Sequence, residues 1–139
     1  PLINATRMAK QLFTFAGGSP FQPAIAAGLR LPDSYFAELA ADLQRKRDVL
    51  MLALEECGLR PITPEGTYFI TADVRGRRAD GDGVAFCREL PGQAGIVAIP
   101  AAVLYDPRNE SEGRHLVRFA FCKELSTISK ASEQLRAWA

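Results

Sequence analysis

The sequence is 139 residues long, 47% hydrophobic and 24% charged, with a formal net charge of +1. That length suits one domain with a real core, and the near-neutral charge gives no reason to expect nucleic acid or an anionic membrane as partner. Cys57, Cys87 and Cys122 lack metal-ligand spacing and His115 is the only histidine, which argues against a disulfide scaffold and a zinc site and favours a reducing cytoplasm.

In chain order, Leu2, Ile3, Met8, Ala9, Leu12 and Phe13 recur at helical spacing behind Pro1, a residue suited to a first helical turn. No initiator methionine is present and the chain opens inside this pattern, so the reading expects a fragment. The stretch from Thr14 to Pro20 breaks the helix, with Gly17-Gly18-Ser19-Pro20 read as a turn in preference to an anion nest. A short helix is expected from Phe21 to Gly28. A long one follows from a capping Asp33 to Gly58, its stripe formed by Phe36, Leu39, Ala40, Leu43, Arg47, Leu50 and Leu54. No apolar run approaches the roughly 18 residues that a membrane span needs.

Leu59 to Ile62 reads as an edge strand limited by Pro61, and Thr67 to Val74 as a strand after the turn Thr63-Pro64-Glu65-Gly66. Arg75, Arg77 and Arg78, followed by Asp80 and Asp82, read as a solvated loop. A helix is expected from Asp82 to Leu90, a strand from Gly95 to Ile99, and a polar loop from Tyr105 to Gly113. His115 to Cys122 is the next strand, before a last helix with the stripe Leu125, Ile128, Ala131, Leu135 and Trp138. Helices flanking a small, mostly antiparallel sheet make an α/β two-layer sandwich.

Chemistry is sparse. There is no serine, histidine and aspartate order, no phosphate loop and no metal cluster. Lys130 beside Ser129 reads as a solvated lysine rather than a Schiff-base amine, and Cys122 as a small buried residue rather than an activated thiol. Arg118 is the exception. Alternation puts Leu116, Arg118, Ala120 and Cys122 on one strand face and Val117, Phe119 and Phe121 on the other. A guanidinium set among apolar neighbours needs a partner. An internal carboxylate and an anionic ligand are both open, and a planar fork of donors fits a carboxylate closely.

Four segments, in order, carry a resemblance. They are Ala9 to Phe15 running into Gly18-Ser19-Pro20-Phe21-Gln22-Pro23-Ala24; Gly66-Thr67-Tyr68-Phe69; Gly95-Ile96-Val97-Ala98-Ile99-Pro100 with Tyr105-Asp106; and Val117 to Lys123. Together they resemble the C-terminal part of class I/II pyridoxal-phosphate aminotransferases of fold type I, in the branch holding kynurenine, glutamine and N-succinyldiaminopimelate aminotransferases. The resemblance covers essentially the whole chain. It implies the small domain of such an enzyme over residues 31–139, and connecting helices toward the large domain and dimer interface over residues 1–30.

The resemblance further implies that Arg118 grips the substrate α-carboxylate. Phe15 would line the substrate pocket of the neighbouring subunit of a homodimer, and Tyr68 would lie near the substrate mouth. Ala16 stands where some relatives carry a polar residue, so their side-chain preference does not transfer. The family's cofactor lysine lies upstream of a segment like Pro1-Leu2-Ile3 and has no counterpart here. The expectation is therefore an aminotransferase that moves an amino group between an amino acid and a 2-oxo acid such as 2-oxoglutarate as the complete cytoplasmic protein. The 139 residues alone, lacking the large domain, are expected to be inactive and to bind no pyridoxal phosphate. The alternative is a stand-alone small-molecule or protein-interaction module that reuses the small-domain fold.

Overall fold

Alternation along the strand that carries Arg118 sets the layers. Val117 and Phe119 are buried while Leu116, Arg118 and Ala120 are half-buried, so one face meets the core and the other turns outward. The computed structural model describes residues 1–13 and 18–139. The chain forms two compact units, Pro1–Leu39 and Ala40–Ala139.

The first unit holds α1 (Leu2–Phe13), α2 (Phe21–Gly28) and the opening turns of α3 (Asp33–Glu56). α1 buries no residue, and Leu2, Ile3, Met8, Leu12 and Phe13 are all exposed. Phe21 donates its backbone N–H to the Gly18 carbonyl (3.0 Å), the turn expected ahead of α2. Asp33 stands inside the first turn of α3 rather than before it, where a carboxylate still complements the helix dipole.

The second unit is built on β1 (Arg60–Ile62), β2 (Phe69–Asp73), β3 (Ile99–Pro100) and β4 (Leu116–Ala120), in the order β1-β2-β4-β3 with every pairing antiparallel. Register pairs Ile70 with Phe119 and Ala72 with Val117, which puts these buried side chains on one sheet face. Against them pack Leu50 and Leu54 of α3, Phe86 and Leu90 of α4 (Gly83–Ala94), and Ile128 and Leu135 of α6 (Leu125–Trp138). The expected two-layer sandwich stands, and its sheet is wholly antiparallel among the described residues. Pro61 is tolerated because β1 is an edge strand.

Several boundaries differ from the sequence reading. α4 does not stop at Leu90 but runs through Pro91 to Ala94, because Phe86, Leu90 and Ala94 repeat every four residues on its buried face. Gly95 then ends the helix in the left-handed conformation (φ 69°), so the expected strand from Gly95 shrinks to the two residues of β3. The polar 105–113 stretch contains a single helical turn, α5 (Glu110–Gly113). Cys122 is exposed, not buried, because alternation carries it onto the outward face that holds Arg118, just past the end of β4 at Ala120.

The arginine cluster is also more ordered than a solvated loop. Arg75 pairs with Asp73 (2.6 Å), Arg78 with both Asp80 and Glu89, and the Arg77 guanidinium carbon lies 4.1 Å over the Trp138 ring. Arg77 also donates to the Trp138 carbonyl (3.0 Å), tying the end of α6 to the turn after β2. That turn needs Gly76, since a side chain there would run into the Gly58 carbonyl oxygen.

Gly76→Ala is therefore expected to destabilise the protein by about 2 kcal/mol or more, because two backbones would have to separate. Gly92→Ala, which meets nothing within 4 Å on α4, is expected to be neutral or stabilising. Equal losses by denaturant titration would contradict this account. The Arg75 hydrogen bonds hold the Asp73 carboxyl below the usual carboxylate range. Asp73 thus contributes stability at pH values above its unfolded pKa of about 3.9, and that contribution disappears as pH falls through the lower folded value. Asp73→Asn should cost about 1–2 kcal/mol at neutral pH, with the gap from wild type closing toward pH 2. A gap independent of pH would show that the charge plays no part.

Candidate functional site

Arg118 occupies the middle of β4 on the sheet face that turns away from α3, α4 and α6. Its register partners are Thr71 on β2 and Ile99 on β3, and Phe69 stands diagonally across on β2 opposite Ala120. Diagonal neighbours on one face lie within reach of long and aromatic side chains. The guanidinium carbon of Arg118 sits 3.9 Å over the Phe69 ring, and the Tyr68 ring leans on Phe69 from 4.2 Å at 44°. The three side chains form a continuous stack.

Its polarity is unbalanced. Arg118 Nε is buried without a hydrogen-bond partner, and the guanidinium makes no ion pair or hydrogen bond with any described residue. The internal carboxylate left open by the sequence is thus absent among the described residues. A cation–π contact contributes about 0.5–2 kcal/mol, but a ring face does not accept the directed N–H bonds that a carboxylate can.

The turn before β2 leads directly into this stack. Thr67 has φ 63°, a left-handed conformation rare for a β-branched residue. Tyr68 then accepts the Phe121 backbone N–H through its carbonyl (2.9 Å), which extends the β2–β4 pairing past Phe69. Arg47, assigned by periodicity to an apolar stripe, donates to the Pro64 carbonyl (3.2 Å) and so ties α3 to the same turn. Between them lies a cavity of about 300 Å³ lined by Leu43, Arg47, Glu65, Thr67 and Phe121.

Of the expected site residues, the structure brings Arg118 and the half-exposed Tyr68 into one stack through Phe69. Phe15 lies outside the described residues. Phe69 was not singled out as a site residue from the sequence, because its place beside Arg118 depends on cross-strand register, which one sequence does not disclose.

Lys46, Lys123 and Lys130 do not fit the role of a cofactor anchor. Lys46 is largely covered, and its Nζ lies 2.6 Å from the Asp42 carboxylate. Lys123 and Lys130 are exposed at the rim of a second cavity, of about 380 Å³, where solvent reaches both side chains, unlike the desolvated setting that activates a lysine amine. Burial pushes the Cys87 thiol up to about 11 and raises Cys57 as well, so neither is poised as a thiolate. Among the described residues no group of three metal-ligating side chains assembles, and no helix is long and apolar enough to cross a membrane.

The sequence matches the aminotransferase class I and II family over residues 1–124. It is 39% identical to the protein named probable N-succinyldiaminopimelate aminotransferase of Mycobacterium tuberculosis, across 99% of this chain and 36% of that protein. It is 33% identical to a kynurenine–oxoglutarate transaminase of Dictyostelium discoideum, across 96% of this chain and 35% of that protein. The solved structure of N-succinyldiaminopimelate aminotransferase from Mycobacterium tuberculosis superimposes with a TM-score of 0.83 at 40% identity, covering 99% of this chain and 35% of that one. The chain thus spans about a third of the length of the curated relatives it matches.

The surroundings of the lysines generate a test. Incubated with pyridoxal phosphate and then borohydride, the 139-residue chain is expected to retain no stoichiometric label on any lysine by mass spectrometry. One equivalent trapped at a single lysine would contradict the assignment.

Proposed function

The chain belongs to the class I and II aminotransferases, and on that premise we propose that it acts as the C-terminal small-domain part of a complete pyridoxal-phosphate-dependent transaminase. That enzyme moves an amino group between an amino acid and a 2-oxo acid such as 2-oxoglutarate. Residues 31–139 are the small domain. Residues 1–30 join the large domain and the dimer interface, a reading supported by the exposed apolar residues of α1, and Phe15 lines the neighbouring subunit's pocket. Three free cysteines suit a reducing cytoplasm.

One observation carries the proposal: an arginine in mid-sheet with no partner for its charge among the described residues. Pyridoxal phosphate, bound elsewhere in the complete enzyme, supplies the chemistry that takes up and returns the amino group. The part assigned to this chain is recognition. Arg118 receives the α-carboxylate of the amino acid or 2-oxo acid. With Nε buried, the donors left to the ligand are on the two terminal nitrogens, so the carboxylate docks end-on across them. Two parallel hydrogen bonds fix the carboxylate plane and with it the α-carbon. Tyr68, half-exposed beside the stack, borders the mouth through which the substrate enters.

Arg118→Lys in the complete enzyme keeps the charge and loses the fork. It is expected to lower kcat/KM about a hundredfold or more for every amino-acid donor, because the carboxylate is common to them all. Thermal stability should barely change, since no described residue relies on Arg118 as an ion-pair partner. A destabilised variant with near-normal kcat/KM per folded molecule would overturn the assignment.

A further inference from the structure

A guanidinium in mid-sheet can turn about its own side-chain bonds, and a carboxylate-binding site needs one orientation of its plane. Nothing polar fixes that plane here: Arg118 has neither an ion-pair nor a hydrogen-bond partner among the described residues. The contact that remains is the Phe69 ring, 3.9 Å from the guanidinium carbon. Phe69 is itself held, by the pairing of β2 with β4 on its backbone and by the Tyr68 ring 4.2 Å away. Thr67, just before Tyr68, holds a left-handed backbone conformation.

We propose that Phe69 is a positioning residue for carboxylate recognition. Its ring face fixes the plane of the Arg118 guanidinium so that the two terminal nitrogens meet the α-carboxylate. This inference rests on the reading of Arg118 as the carboxylate receptor. A flat π-face suits the task better than a carboxylate would. It attracts the cation and defines a plane, yet leaves the charge and the in-plane N–H donors available to a ligand. A carboxylate in its place would neutralise the arginine and compete for the same donors.

The test uses the complete enzyme and measures the competitive inhibition constant of butyrate, an amine-free carboxylate, along with donor kinetics and melting temperature. Phe69→Leu keeps apolar bulk but removes the π-face, and is expected to weaken butyrate binding and raise donor KM about fivefold or more. Phe69→Tyr and Phe69→Trp keep a face and should restore both to within about twofold of wild type. In an Arg118→Lys background, Phe69→Leu should have no further effect on butyrate, since the ring acts through the arginine. Equal weakening by Phe69→Leu in both backgrounds, or failure of both aromatic variants to restore binding, would overturn the role of Phe69. Normal butyrate binding in Phe69→Leu, with Arg118→Lys still impaired, would overturn it too and leave Arg118 as receptor. Normal binding in Arg118→Lys would overturn the receptor reading itself.

Discussion

A guanidinium held on an aromatic ring, with no carboxylate among the described residues to neutralise it, is the constraint around which this small sheet is arranged. Buried arginines are usually paired, because removing a charge from water is expensive and an opposite charge offsets part of that cost. Among the described residues Arg118 has the Phe69 ring as its contact, and it is half-buried on its sheet face. The ring contributes modestly, and the buried Nε keeps an unmet hydrogen-bonding need. Charge left in surplus in this way is available to an incoming anion.

The surrounding fold keeps that surplus in place. α3, α4 and α6 crowd one face of the sheet and fill it with Leu50, Leu54, Phe86, Leu90, Ile128 and Leu135. That one-sided packing buries one face of β2 and β4, which specifies their register, and register sets Phe69 diagonally across from Arg118. The structural ion pairs stay off this stack. Asp73 is engaged by Arg75, Asp42 by Lys46, and Glu89 and Asp80 by Arg78.

Much of this was legible in the residues. Strict alternation from Leu116 to Ala120 gave the two faces of β4, and the apolar spacing of α1, α2 and α6 gave their extents nearly to the residue. The failures share a cause, which is tertiary context overriding a local signal. The helix expected to end at Leu90 runs on through Pro91, because burial of Leu90 and Ala94 carries α4 to Ala94. Arg47 reads as a member of an apolar stripe, yet its guanidinium reaches a carbonyl seventeen residues away. Arg77 reads as a loop cation, yet it needs Trp138, sixty-one positions on, to reveal its role. Phe69 belongs with these: its identity is plain in the sequence, and its partner is set by a register that only the fold supplies.

The central claim, that Arg118 recognises the carboxylate common to all donors, is tested most directly by a binding cycle. In the complete enzyme, dissociation constants are measured for an amino acid and for the amine that lacks its carboxylate, with wild type and with Arg118→Lys. The account predicts that wild type strongly favours the amino acid, that the variant loses most of that preference, and that affinity for the amine is nearly the same in both. An undiminished preference for the amino acid in the variant would contradict it.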